Sequence, residues 1–542
     1  MEAASATISP QGLASQRSGV PTTLGWRRIL RTRRVLLFLP WLGLAWQGVL
    51  AQTPTDWISA FLAASGAFLV FFDAFRPRRL YRYPLSTLVV LGFGVTLQLG
   101  PLLFTAIEGN SLTFNLLVPV ATFGHGVLSS LACLLAHTIY RQAPWLRFLR
   151  TGAQRLLLQL RLFQPLRIAE VVAMGSLGVF ALASSTWFSG LAEASTAFGK
   201  FIEGYQFFSI IPAAYLLQAS WSQVPASASP PSRKPLLLFL LFMALIVLVS
   251  LGRNARSPFV VPVSCLFLGL ALQWLYGLIR FRLGAVLAVG LAIMVLLPLA
   301  TDMATAMVMV RGQRGDVSPA ELLDQTFTQF QDRQAITRYR LAAAEVDPTS
   351  DWSETYVSNL FLARFANAKF PDNSLENAAK LFPAQRDEMA AFQWWRLLAI
   401  LPTPVLSLLG VPEEIKSEVI SYSFGDKLYF LASGSEYALG GFRTGHFFGT
   451  GTAGFGLGYL VILLLGFLLV FPLVDAHAVV ATGGSSIAPL ISAVAITQLI
   501  AWFTFSNAES VIAILAFPLR GFIEPVLLFA LIRWLLAQVR VA

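Results

Sequence analysis

Charge is scarce in this chain, and cysteine is nearly absent. Only 12% of its 542 residues are Asp, Glu, Lys or Arg, against 56% apolar residues. That balance excludes an ordinary soluble domain and places the chain among polytopic membrane proteins. The two cysteines, Cys133 and Cys265, both fall inside apolar runs, which leaves neither a disulfide framework nor a zinc site. The four histidines, His125, His137, His446 and His477, are too scattered for a metal centre. There is no Walker motif, dinucleotide fingerprint, zinc-ligand spacing or HExxH, so nucleotide chemistry of the soluble kind has no support. The apolar runs are continuous rather than alternating with period two, which argues against a β-barrel.

What is present is a series of apolar runs. A hydrocarbon core of roughly 30 Å needs about 20 helical residues. Runs of that order fall at 35–51, 57–72, 85–107, 112–140, 168–187, 201–220, 236–251, 259–278, 283–300, 455–474, 487–505 and 510–536. The expected fold is therefore an all-α polytopic membrane protein of about 12 transmembrane helices. The last run is interrupted by Pro518 and Arg520 and reads as a broken or re-entrant helix. The 43 Phe, 13 Trp and 12 Tyr suit lipid-facing helices with interfacial belts.

The first 34 residues are small and polar and then basic, as expected of a disordered cytoplasmic tail. The run 35–51 resembles a secretory signal, with Val49-Leu50-Ala51 as a cleavage site. The long basic region before it, and the agreement of the later loop charges, favour a retained first span. Loops after even-numbered spans carry Arg76, Arg78, Arg79 and Arg82, then six arginines from Arg141 to Arg167, then Arg233 and Lys234, then Arg280 and Arg282. The early loops after odd-numbered spans carry almost none. By the positive-inside rule both termini are then cytoplasmic and the long loop faces outward, into the periplasm of a bacterium. The net charge of +11 is accordingly a topology signal and not a nucleic-acid surface. The stretch 145–167 has Leu, Phe and Arg at helical spacing and is expected on the cytoplasmic membrane surface. The stretch 224–235, rich in Pro, Ser and Ala, reads as a linker.

Four domains follow: a basic tail (1–34), spans 1–9 (35–301), a large outer loop (302–454) and spans 10–12 (455–542). The polar segment 302–455 carries 13 Lys/Arg and 18 Asp/Glu, about half of all the charge. Ser318-Pro319-Ala320-Glu321 opens a helix expected to run over 321–346, and further helices are expected at 353–370, 374–382 and 383–400, with a short one from Pro412. The loop thus reads as a mostly helical cap between spans 9 and 10, with Trp394 and Trp395 resting on the membrane. Residues 421–458 are dense in glycine, fitting either close backbone approach to a ligand or a flexible return into the membrane.

One short outer loop breaks the charge pattern by carrying Arg253 and Arg256. Snorkelling to lipid phosphates is the plain explanation, yet the other short outer loops avoid arginine. Arginine binds phosphate in a bidentate fashion and stays charged, so an outward cluster suits a lipid-linked diphosphate. If that diphosphate leaves, arginines stabilise the charge developing on it without a metal. An acceptor hydroxyl could be activated by Glu436, Asp426 or His446.

In its span number, its Gly252-Arg253-Asn254-Ala255-Arg256 loop, its single late outer loop and its return through Gly445-His446-Phe447-Phe448-Gly449-Thr450-Gly451, the chain resembles O-antigen polymerases of the Wzy type and their O-antigen ligase relatives. The resemblance implies a metal-independent inner-membrane glycosyltransferase with no cofactor. Such an enzyme passes a glycan from undecaprenyl diphosphate to another lipid-linked repeat or, in ligases, to a lipid A core. It implies undecaprenyl-diphosphate-linked oligosaccharide and membrane lipid as partners, with a chain-length regulator protein as a further one. It also implies diphosphate binding by Arg253, Arg256, Arg311, Arg314 and Arg443, and a role for His446 in the ligase case. The sequence after His446 departs from the ligase pattern, which favours polymerase.

Two rivals stand beside this reading. A twelve-span secondary transporter would place its long loop centrally and inward and would show a half-to-half repeat, neither of which is seen here. An enzyme using a lipid monophosphate sugar would show paired carboxylates in its first outer loop, where residues 51–56 hold one aspartate. Glu509, Arg520, Glu524 and Arg533 lie in or near the last apolar run, where ionisable groups are costly and often functional, and Arg533 is expected to pair structurally. His125 and His137 are expected to be satisfied interior histidines, and Asp316, Asp351 and Asp372 to lie on a solvated face.

Overall fold

The computed structural model describes residues 23–187, 202–221, 234–281, 283–313, 317–345, 352–359, 362–401, 403–441, 443–479 and 488–538. Helix α1 spans Thr23–Leu50, so the basic residues Arg27 to Arg34 form its first turns rather than part of a tail. Arginine is a good helix former, and these arginines find partners. Arg28 donates to the carbonyls of Trp274 and Ile279, both at 2.7 Å, and Arg33 to that of Phe72 at 3.3 Å.

Proline opens α2 (Pro54–Ala74), α3 (Pro84–Ile107), α4 (Pro119–Gln142) and α5 (Pro144–Gln159), as well as the single turn Pro77–Arg82 that precedes α3. Its missing N–H costs nothing at a first turn, and its fixed φ favours the helix. Helices α6 (Ile168–Trp187), α7 (Ile211–Trp221), α8 (Lys234–Gly252), α9 (Ser257–Leu275) and α10 (Leu283–Met309) complete the first part. After the large loop come α11 to α16, described below, then α17 (Phe447–Phe455), α18 (Tyr459–Ala476), α19 (Ala493–Phe503), α20 (Val511–Leu515) and α21 (Glu524–Gln538). Strand pairing among the described residues is confined to Ala478–Val479 against Leu490–Ile491.

Seven of these helical runs are long and apolar enough to cross a membrane: α2, α3, α4, α8, α9, α10 and the continuous stretch Phe447–Ala476. The chain is thus an all-α, multi-pass membrane protein. Other expected spans are shorter or interrupted. The run at 201–220 is divided between a 3-10 turn, Gln206–Ile210, and α7, and the run at 487–505 contracts to α19. The last run breaks as Pro518 leads one to expect, into α20, a π-turn at Phe517–Ile523 and α21. The core joins α2, α3, α4, α18 and α19, with α3 the most enclosed. Gly92 lets α3 touch the Phe503 carbonyl at the end of α19, a space that any Cβ would fill.

The large loop is a cap of short helices: α11 (Pro319–Gln331), α12 (Arg333–Glu345), α13 (Lys369–Ala379), α14 (Pro383–Leu398), α15 (Glu413–Ser421) and α16 (Phe424–Ser433). The single helix expected over 321–346 is two, broken at Asp332, whose carboxylate accepts the Ala335 N–H at 2.9 Å and starts α12 instead. Ser318 does cap α11, accepting from the Glu321 N–H. The described residues of 353–370 form bends and the 3-10 turn Leu362–Phe365 before α13 begins, while the helices expected at 383–400 and from Pro412 are present as α14 and α15.

Asp372 is not solvated, as the sequence led us to expect, but fully buried. It pairs with Lys369 at 3.1 Å and accepts the Leu117 and Val118 N–H groups at 2.9 and 2.7 Å, pinning the cap to the α3–α4 loop. Burial on this scale is tolerated only with such partners. Asp316 and Asp351 lie outside the described residues, as do most of the 224–235 stretch and the first 22 residues.

The contacts sort the helix ends into two groups. The cap meets the end of the bundle where α2 and α4 start and α3 stops, through Glu108–Ser358, Tyr356–Leu112 and Asp372–Val118 hydrogen bonds. It also reaches deeper, where the π-turn Val95–Leu99 of α3 frees the Thr96 carbonyl for the Asn367 N–H at 3.0 Å. At the other end Asp475 of α18 accepts from Ser86 Oγ at 2.6 Å and Tyr140 at 3.1 Å, and Arg150 of α5 donates to the Arg82 carbonyl. The arginine-rich loops thus collect at the end remote from the cap. Helix α5 lies there with Trp145 and Phe148 exposed and Leu146 and Leu157 buried, an amphipathic helix on the surface of the bundle.

Candidate functional site

Those site residues expected from sequence that are described lie at the cap end, in more than one place. Asp426 sits in the first turn of α16, where Ser423 Oγ caps the helix by accepting the Asp426 N–H at 2.9 Å. The Asp426 carboxylate is fully buried, accepts the Arg443 N–H at 2.9 Å and faces the Arg443 guanidinium at 3.6 Å. Arg443 also donates to the Ala438 carbonyl at 2.9 Å and lies over the Tyr429 ring at 4.7 Å. The pair is a clasp that closes the glycine-rich stretch 434–445 against α16. Glu436 is exposed in the short turn Glu436–Ala438.

His446 is fully buried at the N-cap of α17. Its Nδ1 accepts the Phe448 N–H at 3.2 Å, which requires that the proton sit on Nε2, and Nε2–H then donates to the Ser506 carbonyl at 2.9 Å. Burial holds its protonation down to about 3. With both ring nitrogens engaged, this arrangement makes His446 a cap and leaves no lone pair for a substrate proton. The glycines that follow serve packing: Gly449 lets α17 press on the Ser374 backbone of α13.

Arg253 and Arg256 flank Asn254, which is buried and adopts a left-handed conformation with φ of 47°. Such a turn suits Asn better than most residues. Arg253 donates to the Leu182 carbonyl at 3.1 Å, and Arg256 forms the N-cap of α9. The far end of α9 meets Arg28, so this loop lies at the cap end of the bundle. Arg311 is exposed in a 3-10 turn after α10, and Arg314 lies outside the described residues.

The group that sequence reasoning did not place in a role is Glu509. The link between α19 and α20 is a hub for the segments that return beneath the cap. Its Ala508 carbonyl accepts the Phe447 N–H at 3.0 Å, its Glu509 carbonyl accepts Thr450 Oγ1 at 2.7 Å, and Ser510 Oγ donates to Gln393 of α14 at 2.5 Å. Held this way, Glu509 points one oxygen at the cap, where Oε2 accepts the Phe424 N–H at 3.2 Å. Its Oε1 has no hydrogen-bond donor among the described residues.

Burial raises the Glu509 carboxyl to about 7, with Arg396 opposing the rise and Asp426 and Glu354 adding to it. Arg396, on α14, donates to the Val419 carbonyl and lies over the Phe424 ring at 5.8 Å. Its own proton affinity is lowered by burial, raised by Glu509 and lowered by Arg520. Arg396 thus feels both Glu509 and Arg520, whereas Glu509 feels Arg396. A half-buried carboxyl held near neutrality in the field of a guanidinium is suited to proton transfer next to an anion.

The legible signal for this site was an acidic residue, Ala508-Glu509-Ser510, set between two apolar runs. Of its neighbours in sequence, Arg533 pairs with Glu170 at 3.0 Å, the structural role expected of it. His125 and His137 are bonded inside the bundle, to Tyr459 Oη at 2.8 Å and Ser86 Oγ at 3.1 Å. Among the described residues no three His, Cys, Asp or Glu side chains converge as a metal site. Comparison with known proteins places no relative beside this geometry: no protein-family model matches the chain, and neither a curated protein nor a solved structure is significantly similar to it.

Proposed function

We propose that the chain is a glycan polymerase of a bacterial inner membrane. It has about twelve spans, both termini in the cytoplasm and the cap in the periplasm. The gathering of arginine-rich loops at the end remote from the cap supports that orientation. The reaction joins lipid-linked oligosaccharide repeats by glycosyl transfer from undecaprenyl diphosphate. The bond from the anomeric carbon to the diphosphate oxygen breaks, a bond to an acceptor hydroxyl oxygen forms, and the hydroxyl proton passes to a carboxylate. The diphosphate departs on its lipid with its charge stabilised by arginine, so the step needs no metal.

The observation that carries this reading is Glu509, which takes over the role of base from Glu436, Asp426 and His446. Its proton affinity near 7 suits a base at physiological pH, and Oε1 is open to a substrate hydroxyl. Arg396, whose charge acts on Glu509, serves the leaving group, while Arg253, Arg256 and Arg311 line the same end of the bundle as an approach for diphosphate. Asp426 and Arg443 act by holding the cap closed over Glu509. The test is reconstitution of the purified chain in liposomes with the lipid-linked repeat unit of its own host. Longer lipid-linked chains from wild type, lost in Glu509→Gln, support the reading. Failure of the wild type to lengthen the repeat contradicts it.

A further inference from the structure

A pocket of about 230 Å³ opens between the Gln206–Ile210 turn and the last helices. Its polar walls are Glu203, Gln206, Gln498, Arg520 and Glu524. Among the described residues, none of these five side chains makes a hydrogen bond or an ion pair with the protein. Glu203 and Arg520 are exposed and Gln206, Gln498 and Glu524 half-buried, so the set is open to a ligand. Leu519, Ile523 and Leu527 on the same segment are exposed on the apolar outside of the bundle, so the pocket opens beside lipid-facing side chains. Arg533 with Glu170 and Arg141 with Asp73, by contrast, are paired within the protein.

Two further features distinguish the pocket from a packing gap. Arg520 stands in the π-turn Phe517–Ile523, and such turns interrupt helices frequently at functional sites. Arg520 also acts on Glu524 across the pocket and on Arg396 of the cap, so the pocket is set toward the cap side of the bundle.

The chemistry of the walls narrows the ligand. Two carboxylates accept, one guanidinium donates, and two amides do both. The net charge of this set is negative, since two carboxylates outweigh one arginine, and a diphosphate is a poor fit. A ring carrying several hydroxyls, each both donor and acceptor, satisfies the set. The volume falls below the range of about 300–1,000 Å³ typical of drug-sized ligands, which limits the occupant to a single ring. We propose that this pocket holds one pyranose ring of the lipid-linked glycan, with Glu203 and Glu524 accepting from its hydroxyls and Arg520, Gln206 and Gln498 donating to them. The proposal rests on the glycosyl-transfer reading and names a sugar subsite for it.

The test uses the full chain in lipid nanodiscs and saturation-transfer NMR against free hexoses, 6-deoxyhexoses and N-acetylhexosamines. At least one sugar is expected to give a signal that falls fivefold or more in Glu524→Gln and in Gln498→Ala, with wild-type thermal midpoints showing that both variants are folded. No signal from any sugar, a signal unchanged in both variants, or displacement by phosphoethanolamine in place of sugar overturns the proposal. The glycan ladder separates this from the polymerase reading. Deletion of the gene that shortens the ladder, with both pocket variants restoring full length, overturns the sugar subsite alone. Deletion that leaves the ladder unchanged while sugar binding persists overturns the polymerase reading and leaves the subsite standing.

Discussion

Glu509 Oε2 accepts the backbone N–H of Phe424 at 3.2 Å, so the link between two membrane segments is tied directly to the first turn of a cap helix. The carboxylate is at once a tie and the candidate base, and the two roles can be separated. Glu509→Gln keeps an oxygen for Phe424 and removes the base. Chain lengthening is expected to fall by about 10²–10⁴-fold, the contribution typical of a general base. The thermal midpoint should change little. Gel analysis of lipid-linked products beside a thermal melt checks both.

The same carboxyl predicts a pH dependence of opposite sign for activity and stability. Activity needs the carboxylate and should rise through pH 7, the value near which Glu509 is held, and level off above it. For stability, the folded group binds its proton more tightly than the usual 4.5, so the folded state carries more protons between that value and about 7. Its stabilising contribution is present below 4.5 and lost as pH rises through about 7. The thermal midpoint of wild type should therefore decline over this window relative to Glu509→Gln. Parallel curves for the two proteins would count against a raised proton affinity at this residue.

Arg443→Ala removes the guanidinium that faces Asp426 in the clasp described above and leaves that carboxylate buried. Losing one partner of a buried pair costs about 3–5 kcal/mol. The guanidinium is partly exposed, with 21% of its side chain accessible, so the lower end applies. The stretch 434–445 should become sensitive to protease. Arg443→Ala combined with Asp426→Asn should recover part of the loss, because no uncompensated charge remains.

His446 separates a capping role from a catalytic one. Its ring caps α17 and holds Ser506, so His446→Ala should cost about 1–3 kcal/mol through unsatisfied buried partners. Asn is a strong N-cap residue, and His446→Asn should retain most of the chain-lengthening activity and the wild-type pH profile. Loss of activity in a stably folded His446→Asn protein would restore the histidine as a chemical group.

Much of the fold was legible because it follows from single physical rules. Apolar length marked membrane helices, though not all twelve expected spans are long enough, and the arginines of the alternate loops marked one end of the bundle. The break near Pro518 was visible in the same way. What failed depended on tertiary partners. Asp372 looks like any surface aspartate until the Leu117 and Val118 N–H groups and Lys369 close around it. Asp332 looks like a mid-helix residue until it caps α12. His446 and Glu509 were both visible as isolated polar residues beside apolar runs, yet only folding assigns the first a cap and leaves the second an open oxygen. Arg396, in the middle of a cap helix, carried no signal at all before Glu509 came beside it.

Arg253 and Arg256 are placed at the cap end without touching Glu509 through any described bond. Arg253→Ala and Arg256→Ala are therefore expected to leave the protein in the membrane, with binding of the diphosphate-linked substrate weakened and polymer abolished. Membrane fractionation with an immunoblot, followed by a glycan gel, checks the two halves. Normal polymer from both variants would remove these arginines from the substrate path.

The most direct measurement is a gel of cell-surface and lipid-linked glycans from a strain lacking this gene, with and without the gene restored. The polymerase account predicts that the long-chain ladder collapses to a single repeat unit and returns with wild type but not with Glu509→Gln. A ladder of unchanged length in the deletion strain, or long polymer that accumulates on the carrier lipid, would contradict it.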